Sequence, residues 1–124
     1  MKRVKLLIAG LFFILITLNL MAQDKTGIDF YQGKWSVVAQ GPNGDLKMII
    51  EFNQKEGKVV SNISDTDGKE LFKVVSTEVK GNSASLNFIG SQGSEVPMEI
   101  QKKDNDHFSG TIMSMYDFAG ERLK

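Results

Sequence analysis

From Gly33 onward, apolar side chains recur at every second position in short runs, and glycine-bearing turns interrupt them roughly every 8–12 residues. A period of two puts neighbouring side chains on opposite faces of a strand, and turns this close leave no length for crossover helices. The chain is therefore expected to fold as an all-β antiparallel meander of about eight short strands. Trp35, Val37 and Ala39 share a face in the first run. Leu46, Met48, Ile50 and Phe52 share one in the second, with Lys47, Glu51 and Asn53 opposite. The segment Gly41-Pro42-Asn43-Gly44-Asp45 turns the chain between them. Further runs are expected at Lys58–Ser64, Glu70–Lys80, Ser83–Ile89, 96–101, 107–115 and 116–124. In the run from Glu70 the parity conflicts, with Leu71 and Val75 facing one way and Phe72 and Val74 the other. A bulge near residues 73–76 would reconcile them. Nearest-neighbour connections favour a closed up-and-down barrel over a sandwich, and closure removes exposed strand edges. Asp24-Lys25-Thr26 reads as a cap for a short helical turn over 27–32, ahead of the first strand.

The first 22 residues follow a different pattern. Lys2, Arg3 and Lys5 precede an almost unbroken apolar run from Leu6 to Leu20, and Met21-Ala22 supplies a small residue at the exit. This is the layout of a secretory signal peptide, too short in its apolar core to span a bilayer comfortably. Cleavage would leave one domain, residues 23–124, exported to the periplasm or the extracellular space. That domain contains no cysteine, so packing and strand pairing alone must hold it together, and no acylated cysteine can tether it to a membrane. Without the three leader cations, 12 Lys and Arg stand against 15 Asp and Glu, a net charge of −3. The charges are scattered, Lys102-Lys103 being the one adjacent basic pair of that domain, which argues against a nucleic-acid-binding face.

Paired motifs at the two ends of the domain suggest a family. Gly33-Lys34-Trp35 opens the first strand and Gly120-Glu121-Arg122 lies in the last. Between them stand Pro42-Asn43-Gly44, Phe52-Asn53-Gln54, Asp65 with Gly68, Gly81-Asn82, Leu86-Asn87-Phe88 and Phe108-Ser109-Gly110-Thr111. The chain resembles the small secreted bacterial lipocalin-like (calycin-type) β-barrels, most of unassigned function. The resemblance implies that Trp35 packs beside Arg122, an indole face against a guanidinium plane, closing one end of the barrel. It implies a fold and no activity. The chain is shorter than true lipocalins and lacks their paired cysteines and long C-terminal helix, so its interior should be small.

Candidate binding residues follow from this picture. A small apolar or amphipathic ligand at the barrel mouth would meet Trp35, Met48, Phe88 and Tyr116, with Arg122 either gating a ligand beside Trp35 or serving as a structural plug. Met48, Met98, Met113 and Met115 could line an adaptable pocket or fill the core. An outward Met pair near Tyr116-Asp117-Phe118 would make a ligand or partner surface. His107, the one histidine, sits in a turn beside Asp104 and Asp106 and reads as solvated. Asp65-x-Asp67-Gly68-x-Glu70 begins like a calcium loop but lacks its full length, and an Asp-Gly hairpin tip accounts for it. Neither a metal nor a cofactor is expected. Glu51, Glu99 and Glu121 alternate onto the solvent face, where nothing would split their proton affinities, and no serine sits in a nucleophile elbow. The expectation is therefore a non-catalytic binding protein, monomeric or dimeric, with no nucleic acid or membrane as partner after cleavage. The alternatives are a protein-interaction module of the small protease-inhibitor type, using its N-terminal segment or the loops at 41–45 and 90–95, and an accessory barrel with a filled core.

Overall fold

The computed structural model describes residues 26–124. The leader expected over residues 1–22, and Asp24 and Lys25 of the expected cap, lie outside the described residues. One turn of helix, α1 (Ile28–Tyr31), is followed by β1 (Gly33–Gly41), β2 (Gly44–Lys55), β3 (Lys58–Ser64) and β4 (Glu70–Lys80). Then come β5 (Ser83–Ile89), β6 (Glu95–Asp104), β7 (His107–Ile112) and β8 (Tyr116–Arg122). Each strand pairs antiparallel with the next, and β8 returns to β1, giving a closed eight-stranded up-and-down barrel. Closure pairs Trp35 with Arg122, Val37 with Gly120 and Ala39 with Phe118.

The period of two became the barrel's inside and outside. Trp35, Val37, Ala39, Met48, Ile50 and Phe52 point in, joined by Ile63, Leu86, Phe88, Met98, Ile100, Phe108 and Phe118 in one buried cluster. Full burial of one such side chain stabilises by about 1.5–3 kcal/mol, enough in aggregate to hold a fold that has no disulfide. The conflicting run resolves as anticipated. A register shift between Val74 and Ser76 lets Phe72 and Val74 face inward while Val75 stands 53% exposed. Phe72 pairs with Ile63, and its ring lies 4.9 Å from that of Phe88.

Two expectations about local structure are corrected. The seventh strand ends at Ile112 and does not run to 115. Met113 and Ser114 take φ values of 57° and 55°, and the Met115 N–H closes a turn onto the Ile112 carbonyl. Two consecutive left-handed residues reverse the chain, which no alternation pattern reveals. At the helix, the N-cap is Gly27, at φ 63°, with no side-chain cap; its N–H instead donates to the Gly81 carbonyl at 2.7 Å. The helix start is thus fixed by a long-range contact where a local cap was expected.

The ladder between β3 and β4 is the short one. It pairs Ile63 with Phe72 and Ser64 with Glu70 and stops there, whereas β2 and β3 are paired from Ile49/Ser64 down to Lys55/Lys58. The bulge sits on β4 beside this gap, and bulges bend and overtwist the strand that carries them.

Candidate functional site

Hairpin connections alternate between the two ends of an up-and-down barrel, so each end collects its own set of side chains. The end where β1 begins, the foot, is sealed by α1. Phe30 and Tyr31 are buried there, and the Phe30 ring packs against Tyr31 and Trp35 at centroid distances of 4.8 and 5.1 Å. The Tyr31 hydroxyl donates to the Asn82 carbonyl at 2.7 Å, and burial pushes its pKa up to about 12. The Trp35 indole N–H donates to the Tyr31 carbonyl at 2.8 Å.

Arg122 ties this plug together. Its guanidinium carbon lies 4.4 Å from the Trp35 ring centroid and 5.3 Å from that of Phe30. Nη2 donates to the Phe30 and Asn105 carbonyls at 3.0 and 2.9 Å, and Nε to Asp106 at 3.3 Å. One side chain therefore joins β8, β1, α1 and the β6–β7 turn. A half-buried stack of this kind contributes about 0.5–2 kcal/mol beyond its hydrogen bonds.

The candidate binding residues do not converge on one place. Trp35 and Arg122 meet at the foot, in the plug. Met48 and Phe88 are buried inside the barrel. Tyr116 stands half-buried at the other end, the mouth, paired with Ile112. Met98 is buried as well, whereas Met113 and Met115 are 48% and 68% exposed at the mouth, with Leu46 there at 38%. The methionine pair near the Tyr116 corner is thus exposed as expected, though it is the β7–β8 turn and not strand alternation that turns it outward.

On the outer wall, two openings border β3. A groove of about 450 Å³ crosses the outside of β1–β3 under the β3–β4 loop, lined by Lys34, Ile49, Glu51, Asn62, Asp67 and Glu70 among others. A smaller recess, about 120 Å³, opens at the β3–β4 gap between Val59–Ser61 (59–61) and residues 74–77. There the Ser61 and Thr77 hydroxyls bridge the strands at 2.7 Å where backbone pairs are missing. No sequence signal marked this gap apart from the conflicting parity beside it.

The remaining polar candidates have structural partners. Asp65 Oδ1 accepts from the Asp67 and Lys69 N–H groups at 2.9 and 3.0 Å, so this carboxylate scaffolds its own loop. His107 Nδ1 lies 2.7 Å from Asp104 and Nε2 3.3 Å from Glu121, all on the surface. The hydrogen bond to Asp104 is the main cause that raises the histidine pKa. Asp104 in turn is held low by the Asp106 N–H first and by His107 second. Flanked by two carboxylates, this imidazole is built to hold a proton. Glu99 and Glu121 are exposed and Glu51 half-buried, on β6, β8 and β2 respectively.

No family model matches this chain, and no curated protein matches it. Among solved structures it is similar to a redesigned β-barrel, at 14% identity and a TM-score of 0.51, covering 77% of this chain and 93% of that one. It also matches a de novo designed fluorescence-activating β-barrel at 14% identity and a TM-score of 0.48, over 76% and 94% of the two chains. At such identity the likeness of the redesigned barrel speaks for the fold alone: a closed, eight-stranded antiparallel barrel.

Proposed function

We propose that this chain is an exported, non-catalytic, lipocalin-like binding protein that takes a small apolar or amphipathic group at the rim of its mouth. The observation that carries this reading is the contrast between a tightly filled interior and an apolar rim. Among the described residues sixteen buried apolar side chains form the core, Phe30 and Tyr31 of α1 plugging the foot, while Leu46, Met113 and Met115 are exposed at the opposite end. Enclosed binding in a barrel of this size requires an interior free of large side chains. Rim binding does not. Tyr116 and Ile112, half-buried just inside, would form the floor under such a group. Trp35, Met48, Phe88 and Arg122 would then act by holding the barrel's shape.

The filled core also favours a second reading, a protein-interaction module with a solid barrel. Phe30 and Tyr31 are locked into the foot, so in that case the mouth loops would make the contact.

Nile red, a neutral dye whose emission shifts to the blue in apolar surroundings, tests the rim. Residues 23–124 are expected to bind it saturably, and Met113→Ser/Met115→Ser to weaken binding by about tenfold, as the loss of two apolar contacts implies. Binding that survives the double substitution, or no binding at all, overturns the reading.

A further inference from the structure

The lysines that are scattered along the sequence are sorted by the fold. At the mouth, the segments 40–46, 64–71, 89–96 and 112–117 carry Asp45, Asp65, Asp67, Glu70, Glu95 and Asp117 against a single lysine, Lys69. The foot carries as many carboxylates, Asp29, Glu56, Glu78, Asp104, Asp106 and Glu121, but there Lys34, Lys55, Lys58, Lys80, Lys102, Lys103 and Arg122 offset them. The mouth is thus left with unbalanced negative charge while the foot is nearly balanced, and the apolar rim lies at the acidic end.

Within that end the apolar and acidic groups are interleaved. Leu46 on β2 pairs with Ala39 on β1, which pairs with Phe118 on β8, and β8 leads back to the β7–β8 tip with Met113 and Met115. Asp45 and Asp117 flank this quadrant, and the Met113 N–H is held by the Pro97 carbonyl on β6, two residues from Glu95. Unbranched thioethers adapt to irregular apolar partners, and a rim of carboxylates selects cationic ones. The same field disfavours anionic lipid surfaces and nucleic-acid phosphates. Three exposed apolar side chains are too few for a standard interface between two globular surfaces, but enough to anchor the stripe of one helix.

We infer that the mouth of this barrel is a docking surface for a cationic amphipathic peptide segment of a partner protein, its apolar stripe on Leu46, Met113 and Met115 and its basic flanks against Asp45, Glu95 and Asp117. This rests on the rim-binding reading above and names the class of group the rim takes.

A synthetic Leu/Lys amphipathic helix of about 18 residues, long enough to fold on a surface, is the probe, with a Leu/Glu helix of the same pattern as control. With methyl-labelled methionine, the Met113 and Met115 signals should shift on titration while those of buried Met48 and Met98 stay in place. Affinity should fall by about tenfold between about 50 and 500 mM salt, and by a similar factor in Asp45→Asn/Glu95→Gln/Asp117→Asn. The changes are at exposed positions, and near-ultraviolet dichroism will report whether each variant keeps its fold. Equal affinity for the Leu/Glu helix, or binding of the Leu/Lys helix that ignores Met113→Ser/Met115→Ser, overturns the inference. So does a shift of the same methyls by phosphatidylcholine vesicles without peptide, which would assign the rim to a lipid surface. If Nile red still binds and the Leu/Lys helix does not, this inference fails and the rim-binding reading stands; if both fail, both fall.

Discussion

Two glycines and two phenylalanines set the geometry where β7 meets β8. Phe108 pairs directly with Gly120, and Gly110 with Phe118, so each ring lies over the bare backbone of the opposite strand. Here glycine is required by space and not by φ. A Cβ on Gly120 would overlap the Phe108 ring, and one on Gly110 would overlap both the Phe118 ring and the Glu99 carbonyl. Gly120→Ala should cost about 1–3 kcal/mol by overpacking, and Gly110→Ala more, since a backbone carbonyl cannot rotate away as a ring can. Urea denaturation will check the order, and Phe108→Leu placed in Gly120→Ala should recover part of the loss. His107 makes a second prediction. Its raised pKa stabilises the fold below the ordinary histidine range, a contribution lost as pH climbs through the raised value. The lowered pKa of Asp104 stabilises above the ordinary carboxylate range, and that contribution is lost as pH falls through the lowered value. The stability difference between the natural chain and His107→Gln should therefore be largest at mildly acidic pH and shrink on both sides. A difference that stays flat with pH would show that the two carboxylates do not hold the imidazole in solution.

At the scale of elements, the barrel is closed unevenly. Seven of its eight seams are backbone ladders along much of their length, while β3 and β4 share two paired positions and the Ser61–Thr77 hydroxyl bridge. A seam with few ladder bonds, flanked by the exposed Val60 and Val75, should be the first part of the wall to open. Amides of β3 and β4 that point into the gap are expected to exchange with solvent at least about tenfold faster than those between β1 and β2. Hydrogen exchange read residue by residue will test this, and uniform protection around the barrel would mean that the gap is closed in solution. The foot should behave in the opposite way. There α1 is pinned by Gly27 to Gly81, Tyr31 to Asn82 and Arg122 to Phe30, so a helix of four residues is held by tertiary contacts that its length could not supply.

Over the whole molecule, the two ends of the barrel differ in kind: one is plugged, aromatic and lysine-rich, the other open-rimmed, apolar and acidic. The sequence by itself determined the strands, their number and the barrel. Its period of two divides the side chains into wall-inside and wall-outside, and its glycine turns dictate neighbour-to-neighbour pairing. The stacking of Trp35 on Arg122 was expected from the resemblance that the G-x-W and G-x-R motifs carry, and closure of β8 onto β1 brings the two side chains together. Even the bulge in β4 showed as a clash of parity. Other features were decided only by the tertiary structure. Met48 and Phe88 inside, Tyr116 at the mouth and Arg122 at the foot cannot be told apart by alternation, which gives the face of a strand but not the height along the barrel. The same is true of the charges. Successive turns lie about ten residues apart in sequence but at opposite ends in space, so lysines that look dispersed collect at one end and leave the carboxylates of the other unbalanced once alternate hairpins are stacked side by side. The β3–β4 gap depends on how far a bulged strand twists from its neighbour, a property of the closed sheet that no single strand encodes.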